Sequence, residues 1–142
     1  MKSFLAALFA ILLSPLFSQE LQVTITTGDN SLTVSPGTGH NELFEVDAAA
    51  LSKNNFLTIH TEKDEIEKDW KRSFSIYDST ENAIKDFVLM KDGSYCIKLS
   101  EIKTLLKPNE EYFIYTIALP KDPKKAMLVR VARTLVCKIK IL

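Results

Sequence analysis

Leu106-Lys107-Pro108-Asn109-Glu110-Glu111-Tyr112-Phe113-Ile114-Tyr115-Thr116-Ile117-Ala118-Leu119 is the stretch whose reading decides the fold. Pro108 and Asn109 are turn residues, one because its φ is preset and the other because it tolerates a left-handed backbone. Behind them runs an unbroken series of aromatic and β-branched side chains, which predicts a strand starting near Tyr112. If Tyr112, Ile114, Thr116 and Ala118 face a core, then Phe113, Tyr115, Ile117 and Leu119 face the other way. A sheet with one wet face is polar on alternate positions. This strand is apolar on both.

The order Leu106, Pro108, Tyr112 and Ile114 resembles the corner between strands E and F of fibronectin type III and immunoglobulin-like sandwiches. There a tyrosine at the start of strand F bonds its hydroxyl back to the upstream backbone. The resemblance covers about one ninth of the chain. It implies an architecture and, because such sandwiches host unrelated activities, no particular function.

Upstream of that corner the chain alternates short strand patterns with turn residues. Leu21–Thr27 and Ser31–Val34 flank Gly28-Asp29-Asn30 and read as a hairpin. Ser35–Asn41, with two of the four glycines, reads as an exposed loop. Leu43–Val46 reads as a brief strand, Asp47–Lys53 as one or two helical turns capped by Asp47, and Phe56–His60 as a strand. Glu62–Asp69 is a charge run expected to be solvated. Trp70–Tyr77 carries Trp70, Phe74 and Ile76 on one face, and Tyr77 on the opposite one. Ile84–Met90 and Ser94–Leu99 flank Lys91-Asp92-Gly93, a strong hairpin signal.

Ser100–Leu106 is the best helical segment, with Ser100 placed as N-cap and apolar residues at 102, 105 and 106. Beyond strand F, Pro120–Lys125 reads as a stiff basic loop and Met127–Ile141 as a long final strand. Within that strand Arg133 alone breaks the apolar parity of Val129, Val131, Leu135, Cys137, Ile139 and Ile141. An arginine cannot sit unpaired in a core, so a strand end or bend is expected there. Together these segments predict an all-β, antiparallel sandwich of seven to nine strands with one short helix before strand F, a small barrel being the runner-up. The corner resemblance implies an immunoglobulin- or fibronectin-like arrangement.

The first residues set the compartment. Met1-Lys2-Ser3, the apolar run Phe4–Leu13 and then Ser14-Pro15-Leu16-Phe17-Ser18 have the organisation of a secretory signal peptide. The run is shorter than the roughly 20 residues a membrane-spanning helix needs. Residues 1–18 are therefore expected to be removed and 19–142 to form one domain, secreted or periplasmic, with no stable membrane span. Cleavage takes Lys2 from 18 basic side chains and leaves 18 acidic ones, a net charge of −1. So even a balance argues against nucleic acid as a partner. Cys96 shares a face with Lys98 and Cys137 sits among core positions, a poor arrangement for a bond across the sandwich.

Chemistry is hard to place. His40 and His60 are twenty residues apart and lack the spacing of a metal site. Asp64, Glu65, Glu67 and Asp69 are interleaved with lysines and lack a calcium-loop pattern. No nucleophile elbow is present. No catalytic residue, metal ligand or cofactor is assigned. The expectation is a non-enzymatic module working through protein or glycan contacts. The rivals are a secreted enzyme inhibitor and a small hydrolase on the same scaffold. Candidate partner-binding residues are Tyr77, Phe113 and Tyr115 on the second face of the sheet, and Lys121, Lys124 and Lys125 in the basic loop.

Overall fold

The computed structural model describes residues 21–28, 30–38, 42–47, 49, 55–66 and 68–142. The N-terminal segment 1–18 and most of the expected turns at Asp47–Lys53 lie outside the described residues, as does His40. The rest is an all-β sandwich of two five-stranded sheets.

The strands are β1 (Gln22–Thr27), β2 (Asn30–Val34), β3 (Leu43–Val46), β4 (Phe56–Glu62), β5 (Trp70–Tyr77), β6 (Ala83–Asp86), β7 (Val88–Leu89), β8 (Tyr95–Lys98), β9 (Glu111–Pro120) and β10 (Thr134–Ile141). Helix α1 (Leu99–Leu105) precedes β9 and helix α2 (Pro123–Leu128) follows it. One sheet has the order β2-β1-β4-β8-β7 and the other β3-β10-β9-β5-β6. Every pairing is antiparallel except β3 with β10, which is parallel.

Alternation explains which side chains close the core. Val23, Ile25, Leu57, Ile59 and Ile97 from the first sheet meet Phe74, Ile76, Ile114, Val136, Cys137 and Ile139 from the second, all at most 2 % exposed. Phe74 anchors the centre, edge-on to Tyr95 at 4.8 Å and to Phe87 at 6.5 Å between ring centroids. The corner is in place: Tyr112 is 4 % exposed, and its hydroxyl accepts from the Lys107 backbone N–H at 2.8 Å. The same hydroxyl donates to Glu110 Oε2 at 3.3 Å.

Ten strands among the described residues exceed the expected seven to nine. One cause is local. The segment expected as a single strand at Ile84–Met90 is cut at Phe87, where the chain leaves the second sheet and joins the first. Phe87 is buried at the crossing, and its N–H donates to Phe74 O at 2.9 Å, so the switch keeps its backbone satisfied.

Two helix readings change. Helix α1 is capped by Lys98 with no side-chain bond, so Ser100 lies inside it rather than at its cap. Leu99, Ile102 and Leu106 bury themselves under the sandwich, and that packing rather than a cap holds the turn. The long final strand begins at Thr134, not Met127, because Asp122 caps α2 by accepting from Lys124 N at 3.0 Å, with Pro123 at its first turn. Cap and proline together outweigh the β-branched run that follows. Arg133 therefore precedes β10, and a register shift between Leu135 and Cys137 turns Val136 and Cys137 both inward.

Candidate functional site

Pairing on the outer surface of the second sheet is read directly from its register. Tyr77 of β5 lies opposite Phe113 of β9, and Ser75 opposite Tyr115. On the other side of β9, Leu135 lies opposite Tyr115 and Lys138 opposite Phe113. Cross-strand neighbours on one face are about 5 Å apart, so the large side chains must touch. They do: Tyr77 and Tyr115 meet edge-to-face at 5.1 Å and 83°, and Phe113 lies 6.5 Å from Tyr115, tilted by 41°. Tyr77, Phe113, Tyr115, Ile117, Leu119 and Leu135 are all half-buried.

Arg133 closes over this group. Its guanidinium carbon stands 4.2 Å from the Tyr77 ring centroid and 4.5 Å from that of Tyr115. A cation over two electron-rich ring faces is held by their quadrupoles. Its Nη2 also lies 3.8 Å from Glu81 Oε1, in the turn between β5 and β6. That turn is built by Asp78, whose Oδ1 accepts from Thr80 N at 2.9 Å, Thr80 Oγ1 at 2.7 Å and Asn82 N at 3.0 Å. Those bonds, led by the Asn82 backbone N–H, hold the Asp78 carboxyl below its ordinary value. Glu81 itself adopts φ 65°, the left-handed value the turn needs. The parity argument had marked Arg133 as the intruder on its strand. What sequence reasoning missed is its destination, an aromatic pair drawn from two other strands.

The three aromatic candidates are thus gathered on one surface, while Lys121, Lys124 and Lys125 stand apart from them. They cluster at the far end of β9, seven residues beyond Phe113, or about 23 Å along an extended strand. Lys121 is tied down by its backbone, N–H to Asp69 O at 2.7 Å, while Lys124 and Lys125 project from α2. All three are exposed.

Helix α1 buries Leu99 and Ile102 in the core cluster, and its remaining leucine, Leu105, stays exposed rather than covering the aromatic surface. The segment returning from α2 to β10 brings Arg133 there instead.

A second polar feature is Arg72. It shares the parity of Phe74 and Ile76 on β5 and points into the open end of the sandwich. Asp64 receives it bidentately, from Nε at 3.0 Å and Nη2 at 2.8 Å, with both side chains about one-seventh exposed (14 % and 15 %). Nη1 donates to Thr116 Oγ1 at 3.4 Å, and that hydroxyl donates to Ser73 O at 2.9 Å. Asp64 is therefore a structural partner rather than a solvated member of the charge run. The signal was present in the inward parity of Arg72, which demands a carboxylate. Burial, with the nearby Asp64 charge, pushes the Tyr95 hydroxyl above its usual value.

Both cysteines are free thiols. Cys96 lies on the outer surface of the first sheet, its sulfur 3.6 Å from Thr58 Oγ1. Cys137 is fully buried, and burial pushes its thiol up to about 12. Among the described residues no three of His, Cys, Asp and Glu converge as a metal cluster would. One surface depression, about 360 Å³, is lined by Asn55, Phe56, Lys98 and Ser100. No family model matches the chain, and no curated protein matches it.

Proposed function

We propose that this protein is a secreted or periplasmic, non-enzymatic module of immunoglobulin-like type that binds another protein through the outer surface of the β3-β10-β9-β5-β6 sheet. One observation carries the reading: a surface that alternation should leave polar instead gathers Tyr77, Phe113, Tyr115 and Arg133. Tyrosine and arginine are the residues that dominate protein contacts, because each offers a large rigid area with a polar end. The arginine lies on the faces of Tyr77 and Tyr115, where a sugar ring would stack, which favours a protein over a glycan. The export reading rests on the N-terminal pattern Met1–Ser18. No stable span is needed; no helix among the described residues is long and apolar enough to cross a membrane.

A pull-down tests this, with the chain as bait in the cell-envelope and extracellular fractions of its host. Tyr115→Ala and Tyr77→Ala should each release the captured partner while circular dichroism shows the fold unchanged. Folded variants that retain every partner contradict the assignment.

A further inference from the structure

The connection between β9 and β10 carries a second, separate surface that the aromatic sheet does not use. Met127 and Leu128 are 86 % and 85 % exposed, the most exposed large apolar side chains of the described residues. They sit at the end of α2, in a segment with Lys121, Lys124, Lys125 and Arg130 and only one acid, Asp122. None of the four cations forms an ion pair among the described residues. Asp122 is turned to the helix cap, accepting from Lys124 N. The whole chain balances 18 basic against 18 acidic side chains. Residues 121–130 alone carry three net positive charges, so the remainder carries three negative ones.

Geometry makes the patch coherent. With about 100° per residue around a helix axis, Ala126, the half-buried side chain of α2, faces the body of the protein. Lys124 and Leu128 then point directly away from it, with Met127 and Lys125 on either flank. Apolar and basic side chains interleave on one outward arc. The arc is held rigid by the cap, by Pro120 and Pro123, and by the bond from Lys121 N to Asp69 O.

We propose that this tip docks on an anionic lipid bilayer surface, with Met127 and Leu128 entering the headgroup–acyl boundary and Lys121, Lys124, Lys125 and Arg130 meeting lipid phosphates. An acidic protein patch would satisfy the cations but leave Met127 and Leu128 wet. An apolar protein groove would bury them and strand the cations. A bilayer interface takes both at once, because lysine stems lie along apolar tails while their ammonium groups stay among the headgroups. The attraction is modest and reversible, as expected for one helical turn, and it falls with salt. It uses none of Tyr77, Phe113, Tyr115 and Arg133, so this surface and the protein-binding surface stand or fall separately.

The test is vesicle co-sedimentation with the full chain as recovered from its expression host. Vesicles of phosphatidylcholine alone are compared with vesicles of phosphatidylcholine mixed with phosphatidylglycerol. The protein should sediment with the phosphatidylglycerol vesicles and be released by salt. Lys124→Gln and Lys125→Gln should each weaken partitioning about fivefold. The pair Met127→Ser with Leu128→Ser should weaken it about tenfold or more. These side chains are exposed, so the variants keep the wild-type melting profile. Absence of binding to phosphatidylglycerol vesicles overturns the proposal. So does equal binding to both vesicle types, or binding that survives the lysine and the Met127/Leu128 variants alike.

Discussion

At the scale of single residues, Tyr112 and Cys137 make the sharpest demands. Tyr112 joins the turn Lys107–Glu110 to β9 through one hydroxyl that accepts from the Lys107 backbone and donates to a carboxylate. Replacing it with phenylalanine keeps the buried ring and removes only the hydroxyl's two bonds, of which the shorter is the one from the Lys107 backbone. Tyr112→Phe should therefore cost about 1 kcal/mol in denaturant unfolding; no loss would mean that the corner bond is idle. Cys137 should be silent toward thiol reagents in the native protein, since its thiol is buried and pushed up to about 12. Native labelling should tag Cys96 alone and labelling in denaturant both thiols. The same shift sets a pH dependence. Below the ordinary value of 9.0 neither state ionises Cys137; between 9.0 and about 12 only the unfolded state does. Stability should fall across that window, and Cys137→Ala should remove that component of the alkaline slope.

At the scale of elements, the turns carry the register, and the hairpin between β7 and β8 shows how. Gly93 adopts φ 88°, and Asp92 Oδ1 accepts from Ser94 N at 3.0 Å and Ser94 Oγ at 2.6 Å. Those bonds, the Ser94 hydroxyl first, hold the Asp92 carboxyl below its ordinary value of 3.8. A lowered folded value stabilises the protein above 3.8 and loses that contribution as pH falls through the folded value. Asp92→Ala should consequently lower stability at neutral pH and flatten the acid limb of the unfolding curve; an unchanged acid limb would show the turn to be passive. Asp-Gly between apolar runs was legible in the sequence because its chemistry is local, and so was the Pro108–Tyr112 corner. Strand β5 follows its expected Trp70–Tyr77 limits for the same reason, since period-two alternation needs no distant partner. The segments read differently are those decided by long-range packing. Phe87 splits a continuous apolar run because it must cross between sheets, and hydrophobicity alone does not mark a crossing. Val129 and Val131 look like a strand, yet α2 starts upstream on its Asp122 cap and displaces the strand to Thr134.

At the scale of the whole molecule, the two sheets differ in what they show to solvent. On the outer surface of the first sheet Thr24 and Thr33 share a hydrogen bond at 3.0 Å and Thr58 continues that polar stretch, which gives way to exposed Phe56, Val88 and Met90 toward β7. The second sheet presents the tyrosines and Arg133 instead. Only half of that contrast was readable from the chain. Apolar residues on both faces of Glu111–Pro120 signalled an unusual surface. The convergence there depends on Arg133 meeting Tyr77 and Glu81, more than fifty residues earlier in the chain, which no local pattern encodes. The binding surface proposed above lies on the second sheet, and that proposal is open to a direct test. A photo-crosslinking residue is placed at position 113 on the second sheet or at position 24 on the first, and each protein is irradiated in its native fraction. The account predicts a partner adduct from position 113 and none from position 24. Adducts from position 24 with none from position 113 would contradict it.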